Sequence, residues 1–306
     1  MGQKKTRGQT RGQTRSETRR QTRSETRRQP ALPVQWEELT ASDFPKAIER
    51  AEGVCILPIG VIEKHGPHLP LGTDVMAARA ASVRAAEEEY AVVFPPYYFG
   101  QIYEARHQPG CITIRPELLT ELLEETCGEI ARNGFGKVLI VNGHGGNTNW
   151  LNFFCQTQLA RRKDYVVYIA RRAWDEKLAD KIAAQRKTKF GGHADELETS
   201  WMMAIRPDLV QLDRAGDEDG HPRGRLEHMQ DAYAGIWWYA DFPDHYAGDA
   251  QPANAALGEL ALKGWSKGLV QVVSAVKKDT AARKLQDEFY ERAEKPVPDR
   301  QRRTRR

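Results

Sequence analysis

The apolar residues of this chain gather into short runs, set between longer stretches with helical spacing. Val54 to Val61 (VCILPIGV), the run beginning at Ala91 (AVVF), Lys137 to Asn142 (KVLIVN) and Tyr165 to Ala170 (YVVYIA) have the length of buried strands. The Ala-rich stretch Val75 to Glu89 predicts a helix, with Thr73 or Asp74 as its cap. Pro116 opens a helix that runs to Arg132, with Leu118, Leu119, Leu122 and Leu123 on one side; Gly134 and Gly136 stop it. Helices are also predicted over 147–160, 174–187, 195–205 and 254–277. Strand runs alternating with helices predict an α/β fold, its mostly parallel central sheet covered on both faces. Residues 213–249 are rich in Gly, Asp and aromatics, show no clear period, and predict a long loop region.

Ahead of these elements the pattern changes. Thr6-Arg7-Gly8-Gln9 recurs from Thr10, and the octet Thr14 to Gln21 recurs unchanged from Thr22 to Gln29. With no apolar residue between Met1 and Gln29, this stretch cannot offset the entropy of ordering, so 1–33 is expected to be a disordered basic repeat tail. Residues 34–294 would form the folded domain, and 295–306 a second basic tail. Charge sharpens the division. The net +4 combines +8 in 1–30, +5 in 295–306 and −9 in between. An acidic body argues against a nucleic-acid-binding domain and leaves only weak polyanion contact by the tails.

No apolar run approaches the roughly 18 residues that span a membrane, and no apolar segment of a secretory signal is present, so no membrane partner is expected. Cys55, Cys111, Cys127 and Cys155 form no CxxC pair. That argues against a thiolate zinc site or a disulfide scaffold and fits a cytoplasmic location.

Candidate chemistry falls at the ends of predicted strands, where open α/β sheets bind ligands. Glu63-Lys64-His65-Gly66-Pro67-His68 through Thr73-Asp74 follows the first strand. Glu63 and His65, two apart, share a face of an extended chain. Two carboxylates and an imidazole without thiolate suit Zn, Mn or Fe rather than Ca. The bland alternative is a polar loop with a helix cap at Asp74. Asn142-Gly143-His144-Gly145-Gly146-Asn147 follows another strand; it lacks the dinucleotide spacing and the nucleotide-loop lysine, so His144 reads as a further ligand. Its alternative is a Gly-rich turn with an incidental His. Gly192-His193 through Ser200 leads into a helix. Glu198 there can ligate a metal or shuttle a proton, whereas Asp195 and Glu196 fit first-turn helix stabilisers.

Together these blocks resemble the creatininase family of metal-dependent amidohydrolases. The resemblance rests on Leu57-Pro58-Ile59-Gly60 running into Glu63-x-His65-Gly66-Pro67-His68-Leu69-Pro70 and Thr73-Asp74, with the His144 and His193 blocks in the same order, and covers roughly residues 37–275. It implies a three-layer α/β/α sandwich and hydrolysis of a carbon–nitrogen bond in a small or cyclic amide. It implies two divalent metal ions per subunit (Zn, Mn or Fe) and a homohexamer. Carried over residue by residue, Glu63, His65, Asp74 and His144 match metal ligands, with Asp74 as the bridge. His193 matches a proton-transfer position and Glu198 a nearby acidic one. His107 is expected to contact substrate, His68 to shape its loop.

The chain departs from creatininase proper at Gly146, where that enzyme has a ligating Glu, at Asp195 in place of a common Gly, and at Cys111 in place of a usual Thr. Glu198 could supply the missing carboxylate, and creatinine itself is put in doubt as substrate. A peptidase of the mycofactocin-precursor type and a formamidopyrimidine deformylase would use the same site. A non-enzymatic polyanion-binding protein using its basic tails is the alternative of another class. Ile236-Trp237-Trp238-Tyr239 is expected to form a lid or a subunit contact.

Overall fold

The computed structural model describes residues 32–170, 174–229 and 231–297. The expected tails, 1–33 and 295–306, lie outside the described residues except for Leu32-Pro33 and 295–297. In chain order the elements are α1 (Phe44–Arg50), β1 (Val54–Ile59), α2 (Thr73–Glu88), β2 (Val92–Val93), α3 (Pro116–Arg132), β3 (Lys137–Asn142), α4 (Asn147–Thr157), β4 (Val166–Ile169), α5 (Glu176–Gln185), β5 (Gly191–His193), α6 (Glu196–Ile205), α7 (Trp237–Asp241), β6 (Ala247–Gly248), α8 (Ala255–Lys278) and α9 (Ala281–Glu294).

The central sheet runs β2-β1-β3-β4, all parallel. Strand alternation divides its side chains between two apolar layers. Cys55, Leu57 and Ile59 of β1, with Val138 and Ile140 of β3, pack on Leu123, Cys127 and Ile130 of α3 and Leu151 and Phe154 of α4. Val54, Ile56, Leu139 and Val141 point the other way, onto the alanines of α2 and onto Trp265, Leu269, Val273 and Val276 of α8. Because both faces are covered, the strands read as continuous apolar runs. The expected three-layer α/β/α architecture is what forms.

Register places the chemistry. Ile59 pairs with Asn142, so β1 and β3 end side by side, and Gly143 N–H donates to the Ile59 carbonyl at 2.8 Å. The loops after both strands therefore leave the sheet together. The α2 N-terminus presses into the gap between them. A Cβ on Gly60 would stand 2.5 Å from Val75 N, and one on Gly143 would stand 2.5 Å from the Asp74 carbonyl oxygen. Only glycine allows that approach, which carries Asp74 to the strand ends. A separate antiparallel pair joins β5 to β6, with His193 opposite Ala247.

Several boundaries differ from expectation. Thr73 and Asp74 do not cap α2 but lie in its first turn, and the preceding Gly72 offers no side-chain cap. Residues 213–249 are not loop throughout: they hold α7 and the whole of β6. Helices α1 and α9 had no counterpart among the predicted elements. Among the described residues no helix is long and apolar enough to cross a membrane.

Candidate metal centre

Three loops and the start of α6 converge beyond the ends of β1 and β3. His65 is fully buried, and its Nδ1–H donates to the Glu63 carbonyl at 3.2 Å. That bond leaves Nε2 facing inward, 3.1 Å from Asp74 Oδ1, 3.8 Å from Glu63 Oε1 and 3.9 Å from Glu198 Oε2. His144 enters from the other side. Its Nδ1 lies 2.8 Å from Glu63 Oε1 and 3.2 Å from Asp74 Oδ2. Asp74 thus presents one oxygen to each imidazole.

His193 approaches from β5. Its Nε2–H donates to the Lys64 carbonyl at 2.8 Å, leaving Nδ1 as the basic nitrogen, 4.0 Å from Glu198 Oε2. Glu198 is itself held: its Oε2 accepts the Ala194 N–H at 2.6 Å. That amide is aimed by a left-handed backbone at Ala194, φ 56°. Asp195 caps α6 by accepting from Leu197 N and Glu198 N, and Glu196 accepts from the amides of Lys187 and Thr188. Asp195 is thus the cap of α6 rather than part of its first turn, and Glu196 ties residues 187–188 to that helix.

Electrostatics follow from three carboxylates crowded out of water. Burial opposes charge on His65, yet Asp74, Glu63 and Glu198 outweigh it and push the imidazole up to about 10. His144 is likewise raised, burial being overcome by Glu63 and Asp74. Burial pushes Glu198 up to about 8, with Asp74 and Asp195 adding and His65 opposing. His193 goes the other way: burial, with His65 and His245 beside it, holds it neutral despite the pull of Glu63. The pocket draws positive charge strongly, and at His193 keeps a neutral base.

The residues fit divalent cations. Glu63 Oε1 and Asp74 Oδ2 are buried without a hydrogen-bond partner, and both face His144 Nδ1. Such atoms are costly unless something satisfies them. Glu63, Asp74 and His144 bring ligand atoms within 4.8 Å of one another, as do His65, His193 and Glu198. Nitrogen and oxygen donors without sulfur suit Zn, Mn or Fe.

Gly146 sits against the candidate ligand His144. A Cβ there would stand 2.5 Å from His144 Nε2, 2.7 Å from Gln101 Oε1 and 3.1 Å from Glu104 Oε1. Gln101 and Glu104 reach toward this position, while Glu198 approaches from the first turn of α6. His68 lies outside the ligand groups; its Nε2 is 2.8 Å from Thr199 Oγ1, tying its loop to α6. His107 lines the cavity next to the centre, its Nε2 2.8 Å from the Pro243 carbonyl and its ring edge-on to Tyr239 at 4.8 Å. That cavity measures about 1090 Å³, with Trp150, Trp237, Trp238 and Tyr239 in its wall. The aromatic stretch expected as a lid or subunit contact is therefore part of the cavity wall.

His245 was not anticipated. It is 1% exposed, and its Nε2 lies 2.6 Å from Glu63 Oε2. It sits in the aperiodic 213–249 region, 182 residues from its partner, so only the β5–β6 pairing brings it in.

A sequence model of the creatininase family, described as creatinine amidohydrolase, matches residues 37–273. The chain is 29% identical over 201 residues to a creatinine amidohydrolase of Pseudomonas putida, covering 60% of this chain and 75% of that one. It is 24% identical to a 3-dehydro-scyllo-inosose hydrolase of Thermotoga maritima, over 82% of this chain and 86% of the other. A mycofactocin precursor peptide peptidase of Mycobacterium ulcerans is 29% identical over 56% of this chain and 66% of its own. Solved creatininase structures in manganese and zinc–zinc forms share the fold with a TM-score of 0.66, at 23% and 24% identity, over 81% of this chain and 100% of theirs.

Proposed function

This chain belongs to the creatininase family, and from that premise we propose that it is a metal-dependent hydrolase of a carbon–nitrogen bond in a small or cyclic amide. The observation that carries the reading is the placing of Asp74. One of its oxygens faces His65 Nε2 and the other faces His144 Nδ1, so this one side chain would serve two cation positions. Glu63, Asp74 and His144 would hold one divalent cation; His65, Asp74 and Glu198 would hold the second. When bound, such a pair supplies an acidified water and polarises a substrate carbonyl.

The chain's own groups do the rest. His193, neutral and with Nδ1 free, takes a proton there and delivers it to the leaving nitrogen. Glu198, between His65 and His193, completes the second ligand set or hands the proton to His193 Nδ1. The aromatic wall excludes water from the apolar part of the substrate, and His107 at the rim offers it a polar contact.

A peptide substrate is the second reading, favoured by a cavity of about 1090 Å³ that a small ring would not fill, and by exposed Tyr233 and Trp237 along its wall. A hydrolysis screen of metal-reconstituted protein tests both. It compares creatinine, other lactams, formamides, short peptides and a cyclic keto-polyol. Turnover of the amides supports the main reading. Turnover confined to peptides selects the second, and turnover of none with metal fully bound overturns hydrolysis.

A further inference from the structure

Glu63 has two carboxylate oxygens in different surroundings. Oε1 faces His144 and Asp74 and accepts no hydrogen bond, whereas Oε2 meets His245 Nε2 at 2.6 Å. The direction of that contact is settled one step back. The Trp238 indole N–H donates to His245 Nδ1 at 3.0 Å. An indole nitrogen can only donate, so Nδ1 carries the lone pair and Nε2 the proton. His245 Nε2–H therefore donates to Glu63 Oε2.

The backbone is arranged around this contact. His245 has φ 53°, a conformation uncommon outside glycine, and of the three non-glycine residues with positive φ among those described, it and Ala194 both serve this site. Its ring is wedged against His193 at 4.5 Å, nearly perpendicular, and its carbonyl accepts the Gly66 N–H. The ring cannot rotate to offer its other nitrogen without losing the Trp238 bond.

We infer that His245 is a positioning residue for Glu63: it pins Oε2, with its own tautomer fixed by Trp238, so that Oε1 alone is presented toward His144 and Asp74. This rests on the reading of Glu63 as a metal ligand. It also links the cavity wall to the centre, because Trp238 lines the cavity. Hydrogen bonds of this kind fix a ligand's orientation, and their loss lowers metal affinity about 10–100-fold.

Chelator-competition titrations with Mn²⁺ and Zn²⁺, with bound metal counted at saturation, test this on the full chain. His245→Leu should keep the wild-type stoichiometry while its weaker dissociation constant rises about 10–100-fold. His245→Gln, which keeps an N–H donor, should retain most of the affinity. Trp238→Phe should weaken binding in the wild-type background and have no further effect beside His245→Leu. A purely structural role would lower the melting temperature in all three variants without this order of affinities. Should His245→Leu fail to fold, the other two carry the comparison. Unchanged affinity in Trp238→Phe and in His245→Leu, or loss of a whole ion at saturation in His245→Leu, overturns the inference while leaving the metal reading intact. Wild-type protein that takes up no cation overturns both.

Discussion

Asp74 Oδ1 lies 3.1 Å from His65 Nε2, although the two residues leave different elements, a loop and the first turn of α2. The second Asp74 oxygen faces His144 from β3's loop at 3.2 Å. The arrangement depends on how closely α2 can approach the sheet, and the first prediction follows from that approach.

Gly143→Ala places a methyl 2.5 Å from the Asp74 carbonyl and 3.0 Å from the Ala78 side chain. Backbone atoms there have no freedom to retreat, so α2 must shift. The expected cost is about 1–3 kcal/mol in urea denaturation, accompanied by weaker metal retention. Gly145→Ala, where a Cβ meets nothing within 4 Å, is the control and should change neither. Equal behaviour of the two variants would contradict the close-approach account.

Proton release reports on Glu198. Burial, reinforced by Asp74 and Asp195, raises its carboxyl to about 8, so without cations it is mostly protonated at pH 7. A ligating carboxylate must give that proton up. Cation uptake at pH 7 should therefore release about one proton fewer in Glu198→Gln than in wild type. The wild-type affinity should climb with pH until about 8, where this contribution ends. Calorimetry in buffers of different ionisation enthalpy measures the difference; equal release would remove Glu198 from the ligand set.

His68 makes stability pH-dependent. Burial, with His65 beside it, lowers this imidazole to about 4, against about 6.5 in an unfolded chain. Between those values the unfolded chain binds a proton that the folded chain refuses. Stability contributed by His68 is therefore complete above pH 6.5 and is lost as pH falls toward 4, by up to about 1.4 kcal/mol per pH unit. His68→Gln keeps a polar group near Thr199 and should flatten this part of the profile. Denaturation midpoints of metal-free protein from pH 4.5 to 6.5 check it; parallel profiles would contradict a neutral buried imidazole.

Legibility in the sequence tracked how much each element is buried. β1, β3, α3 and α8 pack against cores on at least one side, and their apolar runs or faces announced them. α9 is mostly polar, with Leu285 and Phe289 left exposed, so its pattern did not stand out. β5 and β6 span three and two residues and consist largely of glycine, too little for any period to register. Glu63, His65, Asp74, His144, His193 and Glu198 were all picked out by type and spacing near strand ends, and the fold brings them together. Asp74 reaches the site from within a helix rather than as its cap, because glycines at 60 and 143 admit the helix itself. His245 and Trp238 were not assigned to the centre, because their relation to Glu63 exists only after β6 pairs with β5.

On this proposal Asp74 serves two cations at once, and metal content measures this directly. Wild-type protein reconstituted with Zn²⁺ or Mn²⁺ and freed of excess should retain about two ions per chain, as in binuclear hydrolases. Asp74→Ala should lose most of both, because each ligand group loses an oxygen from the same residue. Stoichiometric metal retained by Asp74→Ala would contradict the bridge and the two-cation centre built on it.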